Sequence, residues 1–290
     1  MLPFCQIVIQ SALAFFTMQT PSIQNKIPAA LVCLSTIMLI SSSVFFFREE
    51  ESESFVVIVG EPVTLPEFIP DFGSILDVNE KKETFFDFME PFVDDVNAKI
   101  IQERQRLLGI MEELKKGGFP EDSEMRFLST LSEKYELDTD DLLDPDFLTL
   151  LLRRVDKIPA SLALAQAANE SAWGASRFAQ DGKNFFGQWC YIDGCGIVPR
   201  RRVEGATYEV RSFESVIESV ESYIHNLNTF PSYQMLRRIR QQLRQQNLAV
   251  DGVNLADGLE SYSARGLDYV AELQRMIYSN DLLERDNHEF

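Results

Sequence analysis

The chain is organised around the stretch from Ser161 to Trp189, which reads SLALAQAANESAWGASRFAQDGKNFFGQW. Its first half is rich in alanine and leucine, which favour helix, and Pro159 suits a first helical turn because its missing N–H would be unpaired there anyway. A single carboxylate, Glu170, comes near the end of this segment, and Trp173 and Gly174 follow it. The stretch therefore predicts a helix with one carboxylate at its C-terminal end.

The predicted surroundings of Glu170 favour its protonated form. A carboxylate at the C-terminal end of a helix meets the negative end of the helix dipole. Neighbours such as Ala167, Ala168 and Trp173 would remove water from it, which raises its pKa as well. A carboxylic acid that keeps its proton near neutral pH is what general-acid cleavage of a glycosidic bond requires. On spacing alone, the commoner alternative is a solvated surface glutamate.

The segment also matches a family signature, an Ala-rich helix that ends in Glu-Ser-x-Trp-Gly and is followed by Asn-x-Phe-Gly. The matching residues are Glu170, Ser171, Trp173, Gly174, Ser176, Asn184, Phe186 and Gly187. This pattern resembles the bacterial peptidoglycan-cleaving N-acetylglucosaminidases (glycoside hydrolase family seventy-three), and in particular their Bax-type branch, from about Lys81 to near the C-terminus. The resemblance implies a mainly α, lysozyme-like domain with a small β-lobe, in which Glu170 is the general acid.

Further site residues follow from the same resemblance. Trp173, Asn184 and Phe186 are expected to bind substrate. The segment GLESYSARGLDYVAELQRMI resembles the family's closing Tyr-Ser-x-x-Gly-x-x-Tyr sequence. Its Tyr262 would border the sugar cleft, with a packed core tyrosine as the alternative.

A glycosidase normally needs a second carboxylate or a group that replaces it. In many relatives this residue lies in the β-lobe, and here Glu204 is the first candidate and Glu209 the second. Glu204 follows three arginines, which would hold it ionised by opposite charge. The alternative for Glu204 is a surface glutamate that these arginines neutralise. The acetamido group of the substrate would then be the nucleophile. Weaker candidates are Asp181, Asp193 and Glu214.

The cysteines indicate a disulfide rather than a metal site. Cys190 and Cys195 are close enough in sequence to staple a loop, as expected in an exported protein. Zinc would need two further ligands, and the chain has only His225 and His288, neither at a ligand spacing. No Walker loop or dinucleotide fingerprint is present, so we expect neither metal nor cofactor.

The charge distribution excludes one class of function. The net charge is −18, but from Arg153 onward 16 basic residues face 18 acidic ones. The acidity thus belongs to the first half, and the second half is not strongly repelled by an anionic cell-wall polymer. No basic domain is available for binding nucleic acid.

The order of segments predicts four regions. Residues 1–48 form a leader with an uncharged, membrane-length segment, Ala29–Phe47. Residues 49–81 form an acidic, Pro-containing linker, 82–155 a helical lead-in region and 156–290 the catalytic domain. The leader predicts a single-pass anchor in the inner membrane with the catalytic domain in the periplasm, and a cleaved signal peptide is the alternative.

Periodicity predicts the remaining elements. Helices are expected over 93–116, 123–135, 145–154, 213–227 and 233–246, and strand arms over 188–191 and 207–213. The helix over 233–246 carries Arg237, Arg238, Arg240 and Arg244, which predict a solvated face, with a substrate role as the alternative.

Three functions are compatible with these observations. The first is hydrolysis of the peptidoglycan strand after N-acetylglucosamine. The second is lytic transglycosylation on a similar domain, although the Asn-Pro and Gly-Leu-Met-Gln sequences typical of those enzymes are missing. The third is a non-catalytic wall-binding module tethered near the inner membrane.

Overall fold

The computed structural model describes residues 64–286, which belong to one compact unit. Its α-helices are α1 (Val78–Lys115), α2 (Asp122–Lys134), α3 (Pro145–Arg154), α4 (Ala160–Ser171), α5 (Arg177–Gly182), α6 (Val216–Thr229), α7 (Gln234–Gln245), α8 (Gly252–Ala256) and α9 (Leu267–Ser279). Three short 3-10 helices cover Pro231–Tyr233, Asp257–Leu259 and Leu282–Asp286. Three strands are β1 (Trp189–Cys190), β2 (Gly196–Ile197) and β3 (Glu209–Arg211). The predicted mainly α architecture with a small β-lobe is therefore confirmed.

The leader and its predicted anchor lie outside the described residues. Within 64–286, no helix combines the length and the apolar character needed to cross a membrane. The linker predicted to end at residue 81 ends earlier, because the Asp77 side chain accepts hydrogen bonds from Asn79 N and Glu80 N and starts α1. Phe72 is fully buried, so this part of the expected linker belongs to the core. The predicted lead-in region and the described part of the predicted catalytic domain lie in the same compact unit.

Local sequence signals place several helices correctly. The predicted helix over 145–154 is α3, and its cap Asp144 accepts a hydrogen bond from Phe147 N at 2.9 Å. The helix over 123–135 differs from α2 by one residue at each end. The prediction over 93–116 covers only the second part of α1, since the first part is rich in buried phenylalanines that carry no clear period.

The β-lobe is a three-stranded antiparallel sheet in the order β1-β3-β2. The two predicted arms pair, with Cys190 opposite Glu209. The disulfide between Cys190 and Cys195 is formed. Glu209 is buried, and its carboxylate accepts hydrogen bonds from Gly194 N at 3.2 Å and Gly196 N at 2.8 Å. The turn between β1 and β2 is thus held by one covalent bond and one carboxylate.

Helix α4 lies at the centre of the helical region. All its residues are buried except Asn169 and Glu170, and it contacts α1, α8, α9 and the 3-10 helix over 282–286. Its alanines permit this, because their small side chains let neighbouring helices approach closely. The Asp286 carboxylate caps its first turn by accepting hydrogen bonds from Ser161 N at 2.8 Å and Ser161 Oγ at 2.6 Å.

The solvated face predicted for the arginine-rich helix is wrong for two of its four arginines. Arg237 and Arg240 of α7 are buried, whereas Arg238 is exposed. The Arg240 guanidinium donates to the backbone carbonyls of Arg153, Asp156 and Lys157. Arg244 donates two hydrogen bonds to the buried Asp156 carboxylate, at 3.1 and 2.7 Å. These arginines therefore fasten α7 to the segment that precedes α4.

We expect Gly174→Ala to destabilise the protein by about 2–5 kcal/mol. Gly174 has a φ of +73°, and an added Cβ would lie 2.3 Å from the Phe72 ring. Gly205→Ala is the matched control, because Gly205 has a φ of +81° with nothing within 4 Å of the added atom. Urea unfolding of the two variants measures the difference. Equal losses in both would show that the contact with Phe72 contributes nothing.

Candidate active site

The end of α4 is an unusual left-handed turn. Ala172, Trp173 and Gly174 all have positive φ, at 53°, 57° and 73°. Such values are rare for a bulky residue and occur where the surroundings enforce them. The Trp173 ring packs edge-on against Phe85 and Phe86 of α1, with ring centroids 5.9 and 5.4 Å apart. This packing fixes the turn that directly follows Glu170.

Trp173 was expected to bind substrate, and the structure gives its ring other partners. Besides the two phenylalanines, the Lys82 ammonium lies 5.4 Å from the ring centroid. The ring is half-buried and packed against the core. These contacts hold the turn after α4 against α1.

The Glu170 side chain is half-buried and held through one of its oxygens. Oε1 accepts a hydrogen bond from Tyr269 Oη at 2.9 Å and a longer one from Asn169 Nδ2 at 3.3 Å. Oε2 faces Gly187, where an added Cβ would lie only 3.6 Å away. Because Gly187 has no side chain, space remains beside Oε2. One oxygen is thus positioned, and a second group can approach the other.

A series of buried hydrogen bonds leads to Glu170 through Tyr223, Gln166 and Tyr269. Tyr223 Oη donates to Gln166 Oε1 at 2.6 Å, and Gln166 Nε2 donates to Tyr269 Oη at 3.0 Å. An amide nitrogen can only donate, so the Tyr269 oxygen accepts there and directs its own proton to Glu170. Tyr223, Gln166 and Tyr269 are all buried. The direction of every hydrogen bond in this chain is therefore fixed.

Burial raises the pKa of the Glu170 carboxyl. The hydrogen bonds from Tyr269 and Asn169 and the positive charge of Arg265 oppose this shift, and the negative charge of Glu272 adds to it. Loss of water is the largest of these effects, so the protonated form is favoured. Burial also raises the pKa of Tyr269 and of Tyr223 well above the ordinary value, so both hydroxyls remain protonated donors.

Asn184 and Phe186 were expected to bind substrate, but both are buried. Asn184 Nδ2 donates to the carbonyls of Gln188 and Arg211, at 2.9 and 2.8 Å, and its Oδ1 accepts from Phe186 N and Gln188 N. Its amide thus shapes the turn from inside and joins it to β3. The Phe186 ring stacks on Tyr223, with centroids 3.8 Å apart. Together the two residues place Gly187 beside Glu170, and their burial leaves neither side chain exposed at the surface.

Tyr262 lies next to the same residues. Its ring stacks on Tyr269 with centroids 5.4 Å apart and an interplanar angle of 4°, and its hydroxyl donates to Phe186 O at 3.3 Å. The hydroxyl is thus engaged by the backbone, while the ring remains half-buried. Tyr269 is the last tyrosine of the Tyr-Ser-x-x-Gly-x-x-Tyr segment. The segment that predicts Tyr262 as a site residue therefore also contains Tyr269, which donates to Glu170.

The two β-lobe carboxylates differ in their surroundings. Glu204 is exposed in a turn between β2 and β3 and makes no hydrogen bond or ion pair in the described part of the chain. The predicted pairing of Glu204 with the neighbouring arginines is therefore not formed. The Glu209 carboxylate accepts hydrogen bonds from two backbone amides of the β-lobe. Glu272 forms an ion pair with Arg265, and the charges of both residues act on Glu170; no motif in the sequence indicates this.

The β-lobe also holds the one group of possible metal ligands found in residues 64–286, Cys190, Cys195 and Glu209. Both sulfur atoms belong to the disulfide, so neither is a thiolate able to bind a metal ion.

Comparison with known proteins places these observations in a family. Residues 150–282 match the glucosaminidase family model, described as mannosyl-glycoprotein endo-beta-N-acetylglucosaminidase. The chain is 31% identical over 215 residues to Protein bax of Escherichia coli (strain K12). The alignment covers 74% of this chain and 75% of the relative. This chain therefore belongs to the glucosaminidase family. Within that family it is a Bax-type member.

A solved structure is also similar. The crystal structure of the catalytic domain of the autolysin Auto from Listeria monocytogenes aligns with a TM-score of 0.35 and 18% identity, over 58% of this chain and 90% of that domain. This similarity is too distant to bear on function.

We expect Tyr269→Phe to move the alkaline limb of the pH–activity profile to higher pH. The hydrogen bond from Tyr269 lowers the pKa of Glu170, so its removal leaves burial less opposed and raises that pKa further. A general acid then keeps its proton to a higher pH. Tyr278→Phe is the control, because Tyr278 is an exposed tyrosine on the same helix. A limb that stays in place, or moves to lower pH, would contradict the assignment of Glu170 as the titrating acid.

Proposed function

We propose that this protein is a peptidoglycan hydrolase that cuts the glycan strand after N-acetylglucosamine, with Glu170 as the general acid. The observation that carries the proposal is the geometry of this carboxyl. Its Oε1 is held by Tyr269, its Oε2 borders the space beside Gly187, and burial raises its pKa. General-acid catalysis needs a proton donor that is both fixed and still protonated near neutral pH.

The proton would leave from Oε2. Tyr269 and Asn169 both donate to Oε1, so the proton of the neutral acid resides on the other oxygen. A glycosidic oxygen beside Gly187 would receive it as the bond to the sugar breaks. When the carboxylate forms, the Tyr269 hydroxyl stabilises its negative charge without any rearrangement. The buried hydrogen-bond chain thus serves both the acid and its conjugate base.

The substrate follows from the family and from the signature. The family model is described by its cleavage of β-N-acetylglucosaminides in mannosyl-glycoproteins. The sequence Glu170-Ser171-x-Trp173-Gly174 resembles instead the bacterial members that act on peptidoglycan. With the leader as a membrane anchor, the catalytic domain would work in the periplasm, on peptidoglycan near the inner membrane.

For the second catalytic group we propose Glu204. Its carboxylate is exposed and takes part in no interaction within residues 64–286, so it is available to activate a water molecule or to attack the sugar. Glu209 is unsuited because two backbone amides already bind its carboxylate. The acetamido group of the substrate is the alternative nucleophile if Glu204 takes no part.

We expect Glu170→Gln to lower the cleavage rate of purified peptidoglycan by ~100- to 10,000-fold, because the amide cannot donate a proton. Mass spectrometry of the products of the unmodified protein tests the reaction class in the same assay. Reducing ends at N-acetylglucosamine support hydrolysis, whereas anhydro sugar ends would identify a lytic transglycosylase. A Glu170→Gln variant that cuts at the normal rate would refute the assignment of the acid.

The same substitution has an expected effect on stability. Because the pKa of Glu170 is raised in the folded state, ionisation of the carboxyl costs folding free energy. The Gln variant should therefore have a higher Tm than the unmodified protein at neutral pH. This difference should vanish at acidic pH, where the carboxyl is protonated in both the folded and unfolded states. A variant that loses stability at neutral pH would show that the ionised form is favoured by the fold.

We expect Glu204→Gln to remove most turnover without changing the Tm, and azide to restore cleavage with formation of a glycosyl azide. Glu209→Gln is the matched control in the same lobe. It weakens the hydrogen bonds to Gly194 and Gly196, so it should lower stability while the rate per folded molecule is retained. If Glu204→Gln cuts at the normal rate, the acetamido group is the better candidate.

A further inference from the structure

A polar cavity lies between α1, α3 and α7, far from Glu170. It has a volume of about 250 Å³, and its lining includes four arginines and one acidic residue: Arg104, Arg153, Arg240, Arg244 and Asp156. Asp156 precedes α4, and Glu170 lies at the other end of that helix, roughly 18 Å along its axis for twelve residues. The cavity is therefore separate from the candidate active site.

Positive charge in this cavity exceeds negative charge. Asp156 supplies the one carboxylate that lines it, and both oxygens of that carboxylate already have partners. Oδ1 accepts from Arg244 Nη2 at 2.7 Å and from Lys157 N at 2.9 Å, and Oδ2 accepts from Arg244 Nε at 3.1 Å. The guanidinium of Arg104 approaches Oδ2 only to 3.4 Å. The Asp156 carboxylate thus interacts with three arginines, and Arg153 adds a fourth positive charge to the lining.

Two buried donors in this cluster have no acceptor. Arg240 is fully buried, and its Nε lies 3.8 Å from Asp156 Oδ2, which is too long for a hydrogen bond. Neither Arg240 Nε nor Arg153 Nε has a hydrogen-bond partner. Buried donors without partners are rare and costly. A ligand that brings negative charge into the cavity would offset the cost of burying these positively charged groups.

The pKa of Arg240 agrees with an unsatisfied positive cluster. Burial lowers it to about 10, and the charges of Arg104 and Arg244 act in the same direction against the opposing effect of Asp156. Even so, the guanidinium is protonated at neutral pH, so the excess positive charge remains.

We propose that this cavity binds a phosphate group, either free inorganic phosphate or the phosphate of a small ester. Guanidinium groups match the geometry of phosphate oxygens and pair with them through charge-assisted hydrogen bonds. Arg153 on α3 and Arg104 on α1 would contact the ligand from one side, and Arg240 and Arg244 on α7 from the other. The bound phosphate would fasten α7 to α1 and α3.

Thermal unfolding and calorimetry of the full-length chain test this proposal at pH 7. Inorganic phosphate and glycerol phosphate are titrated separately, with sodium chloride keeping the ionic strength constant. We expect a saturable rise in Tm with at least one of the two, because a ligand that binds only the folded state stabilises it. A response to phosphate alone would identify the free ion, and a response to glycerol phosphate an ester. A rise no larger than that in chloride would overturn the proposal.

The matched variants are Arg153→Gln and Arg238→Gln. The Arg153 guanidinium donates no hydrogen bond within the described residues, so its loss should not impair folding. Arg238 is exposed on α7 and does not line the cavity. Calorimetry should show at least ~10-fold weaker binding for Arg153→Gln and unchanged binding for Arg238→Gln, as expected for one lost charge-assisted contact. Equal affinities in both variants would refute the site even if phosphate stabilises the protein.

Discussion

The burial of α4 is the constraint on which the rest of the structure depends. A helix enclosed on all sides needs small residues, and its alanines let α1, α8, α9 and the last 3-10 helix approach it. Its polar ends must then be satisfied from outside the helix. Asp286 caps the first turn, and Ser171 Oγ accepts a hydrogen bond from Gly174 N at the other end. Glu170 is one of the two half-buried residues of α4, so the packing of this helix fixes its position.

The candidate site combines two opposing effects on one carboxyl. Burial favours its neutral form, whereas the hydrogen bond from Tyr269 favours its charged form, and burial is the larger of the two. The hydrogen-bonded series Tyr223–Gln166–Tyr269 matters because each of its side-chain polar atoms has a hydrogen-bond partner in a buried region. A fully satisfied polar network is rigid, and an incomplete one would cost stability. The acid is thus held in place without being forced to ionise.

Near the opposite end of α4, the buried Asp156 carboxylate is also held by partners from other helices. A buried carboxylate needs charged or hydrogen-bonding partners, and Arg244, Arg104 and Arg240 provide them from two helices. Their positive charge exceeds its negative charge, which separates this cluster from a simple buried ion pair. Arg237 and Arg240 of α7 thus belong to the interior of the protein, where the sequence had indicated a surface.

Local sequence determined the elements, and tertiary structure determined their partners. Asp144-Pro145 defined the start of α3, and the alanine-rich run placed Glu170 at the end of its helix, because caps and helix propensity act over a few residues. The sequence could not show that Tyr269, 99 residues away, would donate to Glu170. Nor could it show that Arg240 is buried, since an arginine stripe looks the same whether water or backbone carbonyls accept its protons. Burial and long-range hydrogen bonds depend on which helices meet, and only the packing around α4 decides that.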